Sequence, residues 1–262
     1  MIKTLLITGS LMPMHNFRRT HELLRTVFEA SGHFKMNIME NPEGITSETL
    51  SNYDLVVMNY DGMRDSVTLG PRNLAMAPGE RKTKLFGETT LNALYDFVGK
   101  GKGIFFYHTA ACVTREQFPE EYVRLVGAES KRQKYKAHRE LGYSVNVNKA
   151  LGHVITDGVD DEWKIADDDF LNGIEVLEGT ALLATIYDPV NDRPAPVMWA
   201  CEYGKGRSFA TTLGHQEDTI RRLNFVRMML RGSDWAANGT IAVPMPDRDT
   251  SGNWMKGWPW YY

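Results

Sequence analysis

Apolar and polar positions run through this chain in two rhythms. In the first half, short apolar runs of strand length alternate with stretches of helical spacing. Residues 2–8 form the first run, closed by Gly9 and Ser10. Residues 17–30 then place Leu23, Leu24, Val27 and Phe28 on one helical face, and Ser31 and Gly32 end that helix. Runs at 34–39 and 54–59 predict the second and third strands, with a short Ser- or Thr-capped helix at 47–50 between them. Residues 61–86 are long and irregular, with Gly, Pro and charges, a length that in a compact domain usually marks a functional or mobile loop. Helical spacing returns at 88–98, where Leu91, Leu94, Tyr95 and Val98 share a face. A fully apolar strand follows at 103–107. It stops at a polar residue, His108, with Thr109, Ala110 and Ala111 after it and a helix expected a few residues on.

The second half reads differently. Residues 143–147 alternate like a half-exposed strand, and 175–187 read as a strand pair. Segments 196–202 and 207–212 flank a hairpin turn at 203–206, and 217–235 form a last amphipathic helix. The β–α–β–α order of the first half argues for a parallel sheet covered on both faces. A single domain is expected over 1–238, followed by an aromatic tail over 239–262.

Composition narrows the function. The chain has 262 residues, 42% of them apolar, and a formal charge of −3, with no basic block long enough to suggest a nucleic-acid binder. No apolar run approaches the roughly 18 residues needed to span a bilayer. The first run is too short for a signal-peptide core, and the two cysteines imply no disulfide framework, so a cytoplasmic protein is expected. Cys112 lies near the His108 elbow but reads as a small buried hydrophobe rather than a nucleophile.

Four of the seven histidines fall where a parallel sheet delivers residues to its carboxyl edge. His15 follows the first strand and His108 ends the fourth. His215 closes the run TTLGH, and His138 precedes the strand at 143–147. His108, His138 and His215 with a carboxylate would suit a divalent metal, Zn2+ or Mn2+. The acidic residues 167–169 precede a hydrophobic stretch, so one carboxylate is expected to turn inward. Asp168 and Asp169 are not distinguished by this reasoning. Asn59, Tyr60 and Asp61, at the end of the third strand, are candidates to hydrogen-bond a polar ligand.

Several segments together resemble the ThuA-like (trehalose-utilisation) family, a branch of the class I glutamine-amidotransferase-like fold. They are His15 with Thr20, the stretch GKGIFFYHTA at 101–110, HVITDG at 153–158, DDDF at 167–170, the run at 196–215, and RGSDWA at 231–236. Val154 stands where the family pattern usually has Pro, and Asp-Asp replaces an Asp-Glu pair. The resemblance covers residues 1 to about 238.

It implies an α/β, flavodoxin-like parallel sheet with helices on both faces and an added antiparallel segment. His215 matches the downstream His of an amidotransferase, whereas the elbow Cys is missing, so the chain is not expected to be a cysteine glutaminase. The family's link with disaccharides and oxidised sugars implies a small carbohydrate ligand. The expected activity is isomerisation, elimination or hydrolysis of a keto-sugar or glycoside; the alternative is a non-catalytic sugar-binding or regulatory protein. His108, His215, Asp168 and Asp169 are the expected catalytic groups. His15, Asn59, Tyr60 and Thr109 are expected to bind substrate, with Tyr107 and Trp199 as further sugar platforms. A homodimer is expected, with no membrane or nucleic-acid partner.

Overall fold

The computed structural model describes residues 1–10, 15–40, 42–61, 87–131, 142–169, 171, 173–189 and 191–246. His138, the loop after residue 61 and most of the tail lie outside the described residues.

Five strands form the parallel half of one nine-stranded sheet: β1 (Ile2–Gly9), β2 (Phe34–Met39), β3 (Leu55–Tyr60), β4 (Gly103–Tyr107) and β11 (Gly206–Thr211). β10 (Arg193–Tyr203), β9 (Ala181–Asp188), β6 (Tyr143–Val147) and β7 (Glu162–Ile165) extend it antiparallel. The order is β2-β1-β3-β4-β11-β10-β9-β6-β7. This is the expected α/β architecture, parallel with an antiparallel extension.

Helices cover both faces because the strands of the parallel half are apolar on both sides. Phe105 and Tyr107 turn to one face, with Leu6 and Phe209, and pack with Phe28 of α1 (Phe17–Ala30) and with Phe225 and Met229 of α6 (Leu223–Asn238). Ile104 and Phe106 turn to the other face, where they meet Leu94 of α3 (Glu88–Gly99) and Tyr122 of α4 (Glu120–Val126). Phe105 and Phe106 are fully buried. Truncating either to Ala would cost about 3–5 kcal/mol. Asn16 caps α1, its Oδ1 accepting from the Arg19 amide at 3.3 Å.

Three expectations need correction. Residues 175–187 are not one strand pair: β8 (Ile174–Val176) pairs with β5 (Ala128–Ser130) in a separate two-stranded sheet, and only β9 joins the main sheet. The stretch 217–235 breaks into α5 (Glu217–Ile220) and α6, because Arg222 is extended, with ψ 129°. β10 is longer than expected and begins at Arg193. A register shift between Pro196 and Met198 absorbs a proline, which cannot donate to a ladder.

The parallel register fixes the site. Gly9 pairs with Tyr60, and Tyr107 pairs with Thr211. The strands therefore end together, and the next residues of β3, β4 and β11 emerge along one edge. Those residues are Asp61, His108 and Thr212.

Candidate functional site

His108 is the first residue past β4 and adopts φ 52°, a left-handed conformation for a residue with a Cβ. Such a conformation costs on the order of 1–3 kcal/mol and persists only where surrounding contacts enforce it. A hydrogen bond enforces it here. His108 Nδ1 lies 2.7 Å from the Thr212 carbonyl oxygen, which can only accept, so Nδ1 carries the proton and Nε2 the lone pair. His108 is buried, and burial with the neighbouring His15 ring pushes its pKa down to about 3. The ring is neutral at physiological pH.

Two further imidazoles complete a triangle. The ring centroids of His15 and His108 are 5.1 Å apart, those of His15 and His215 5.1 Å, and those of His108 and His215 5.3 Å. Each outer ring has a carboxylate against it. His15 Nδ1 is 3.1 Å from Asp61 Oδ2, and His215 Nδ1 is 3.2 Å from Asp169 Oδ2. His215 Nδ1 also lies 3.3 Å from His108 Nε2. Asp61 Oδ2 accepts from the Ser10 and Thr109 hydroxyls as well, at 3.1 Å each. Three strand ends are thus tied to one oxygen. A cavity of about 30 Å³ opens beside the triangle, with Ser10, Asn59, Asp61 and Thr109 in its wall.

The loop carrying His215 is built from behind. Asp168 is fully buried; its Oδ2 accepts from the Gly214 amide at 2.8 Å and its Oδ1 from the Gln216 amide at 3.0 Å. Burial outweighs those hydrogen bonds and raises its pKa to about 6. The Tyr107 hydroxyl donates to the Gly214 carbonyl at 2.5 Å. His215 is therefore gripped by bonds to the residues on either side of it.

The expected residues sort as follows. His15, His108, His215, Asn59 and Thr109 meet at the cavity, and His15 is one corner of the triangle. Asp169 touches His215, whereas Asp168, expected among the catalytic groups, is not in the cavity wall and braces backbone. Tyr60 does not line the cavity; it is buried in the core on the α3 and α4 side. Trp199 is likewise core, its Nε1 donating to the Val126 carbonyl at 2.8 Å. The expected ligand His138 lies outside the described residues. Asp61 was a candidate only as part of a run of three, yet it holds the site together. Strand alternation puts Asn59 and Asp61 on one side and Tyr60 on the other, the signal that separates them. Burial pushes the Cys112 thiol up to about 12, so it is not a thiolate near neutral pH.

A flavodoxin-like sheet with a histidine in place of the elbow nucleophile and a second histidine after β11 defines the class of protein. Residues 3–236 match the model of the ThuA family, described as trehalose utilisation, and the chain belongs to that family. Solved structures with the same fold include ThuA-like proteins from Parabacteroides merdae and Bacteroides uniformis. The first is 23% identical, with a TM-score of 0.71 over 94% of this chain and 93% of that one. The second is 14% identical, with a TM-score of 0.65 over 92% and 94%. A cytoplasmic protein of Salmonella typhimurium LT2 is 15% identical, with a TM-score of 0.60 over 90% and 100%. No curated protein matches the chain in sequence. Among the described residues, no helix is long and apolar enough to cross a membrane.

Proposed function

We propose that this protein is a carbohydrate-processing enzyme that acts on a keto-sugar or keto-glycoside, by isomerisation, elimination or hydrolysis, through proton transfer at His15 and His215, with His108 holding the substrate. The observation that carries the reading is the triangle of imidazoles with a carboxylate behind each outer ring. A sugar carbonyl acidifies the adjacent C–H, so the chemistry needs a base to take that proton and a second group to return it. His215, oriented by Asp169, and His15, oriented by Asp61, are two such groups facing one small cavity. His108 has its one N–H committed to Thr212, so its Nε2 is an acceptor for a substrate hydroxyl and not an acid. Asn59 lines the cavity, and with its Nδ2 donating to Thr8 Oγ1 at 3.1 Å its carbonyl oxygen would accept from a further hydroxyl. Trehalose-derived keto-disaccharides are the substrates to try first, in keeping with the family. A cytoplasmic location belongs to the same reading, supported by the Salmonella relative.

The test is a screen of keto derivatives of trehalose and related disaccharides, with products followed by NMR. Turnover is expected. His215→Ala and His108→Ala should each reduce it by about 10²–10⁴-fold, while Cys112→Ala retains it. Sugar binding without turnover would replace this reading with the non-catalytic one.

A further inference from the structure

We infer that His15, His108 and His215 together form a mononuclear site for a borderline divalent cation of the zinc type, with Asp61 and Asp169 as its outer carboxylates. The inference rests on the same three rings as the proposed function, with one difference in role: a ring whose lone pair holds the ion cannot also take a proton, so with the ion bound that proton would pass to an oxygen ligand at its open position. It is tested without sugar, so either can fail while the other stands.

Geometry is the first argument. Each of the three rings offers one nitrogen, and the three atoms all lie within 4.8 Å of one another. Ligands bound tetrahedrally to zinc at about 2.0–2.1 Å sit about 3.4 Å apart. His108 Nε2 and His215 Nδ1 are 3.3 Å apart, so these two rings are already in contact; with Nδ1 held by Asp169, His215 would offer Nε2 to the ion. Small χ rotations of His15 and His215 close the rest. His15 lies just before the N-cap of α1 and His215 follows a glycine, so neither sits in the middle of a rigid element.

The second argument is what stands behind the rings. Histidines that bind metal usually give their other N–H to a carboxylate or a backbone carbonyl, which fixes the tautomer and aims the lone pair. All three rings have such a partner: Asp61 at 3.1 Å, the Thr212 carbonyl at 2.7 Å, and Asp169 at 3.2 Å. Asp61 is in turn held by Ser10 and Thr109.

Charge is the third. Two carboxylates stand beside three imidazoles in a confined site, a surround that suits a dication. An all-nitrogen set favours zinc over manganese, which prefers oxygen ligands. The cavity beside the triangle has room for one water-sized ligand in the remaining position. When bound, the ion would act as a Lewis acid on a sugar oxygen.

The experiment uses the full-length protein stripped with a chelator and dialysed. Zn2+ is titrated by competition calorimetry, and Co2+ is added separately to read its visible d–d spectrum. The expected result is one equivalent of Zn2+ and a four- or five-coordinate Co2+ spectrum. Asp61→Asn and Asp169→Asn should weaken Zn2+ binding by about 10–100-fold. His15→Ala should abolish the Co2+ bands while far-UV circular dichroism stays unchanged. No saturable binding by the stripped, folded protein would overturn the inference. So would an equivalent of Zn2+ whose affinity ignores both His15→Ala and Asp61→Asn.

Discussion

Replacing Gly214 by Ala probes the support of the site at one atom. Gly214 has φ +106°, which residues with a Cβ rarely adopt. A Cβ there would collide with the Tyr107 hydroxyl oxygen and lie 2.6 Å from Tyr107 Cζ. Tyr107 cannot move aside, because it is buried in the core and hydrogen-bonded to the Gly214 carbonyl. Backbone strain costs on the order of 1–3 kcal/mol. Overpacking adds about 1–3 kcal/mol. The expected loss is therefore about 2–6 kcal/mol, a large share of the 5–15 kcal/mol typical of a folded domain. Gly179→Ala is the control: φ is +81°, but nothing lies within 4 Å of the added Cβ, so only the conformational cost of about 1–2 kcal/mol applies. Urea unfolding at neutral pH, followed by far-UV circular dichroism and tryptophan fluorescence, gives both values. With m near 3 kcal/mol/M, Gly214→Ala should lower the midpoint by about 0.7–2 M. A Gly214→Ala variant no less stable than Gly179→Ala would refute the close Tyr107–Gly214 contact and the bracing of His215 argued from it.

Two other predictions follow from ionisation. The Asp168 pKa is raised by burial from its ordinary value to about 6, so the folded state holds its proton more tightly than the unfolded chain. Its contribution to stability is complete below about pH 4 and is lost as pH rises through about 6, a swing of roughly 3 kcal/mol at most. Relative to Asp168→Asn, the wild type should therefore lose stability between pH 4 and pH 7; an equal difference at both pH values would contradict this. The Cys112 thiol, with its pKa near 12, should react with iodoacetamide at pH 7.5 on the order of 10³-fold more slowly than an ordinary cysteine. Peptide mass mapping reads that rate, and fast labelling would reopen a nucleophilic role.

The features legible in the sequence were those with a local signal. His108 and His215 could be picked out because each follows an apolar run, and β4 and β11 pair in parallel, which brings the two ends together. Asp61 was less visible because the sequence shows a polar run, while only the pleat of β3 tells which members face the same way. Asp168 and Asp169 are adjacent and chemically alike. What separates them is the Gly214–Gln216 backbone that Asp168 meets across 46 and 48 residues of chain. The partner of β8 was hidden for the same reason, since β5 lies far upstream and the turn pattern near 177–180 mimics a hairpin.

Solvent exchange tests the central claim most directly. The protein is incubated in D2O with a keto derivative of trehalose, and proton NMR follows the C–H next to the carbonyl. The wild type should wash deuterium into that position far faster than buffer, with the rate falling by about 10²-fold or more in His215→Ala. No exchange above background with any keto-disaccharide, or exchange undiminished in His215→Ala, would contradict proton transfer at the histidine triangle.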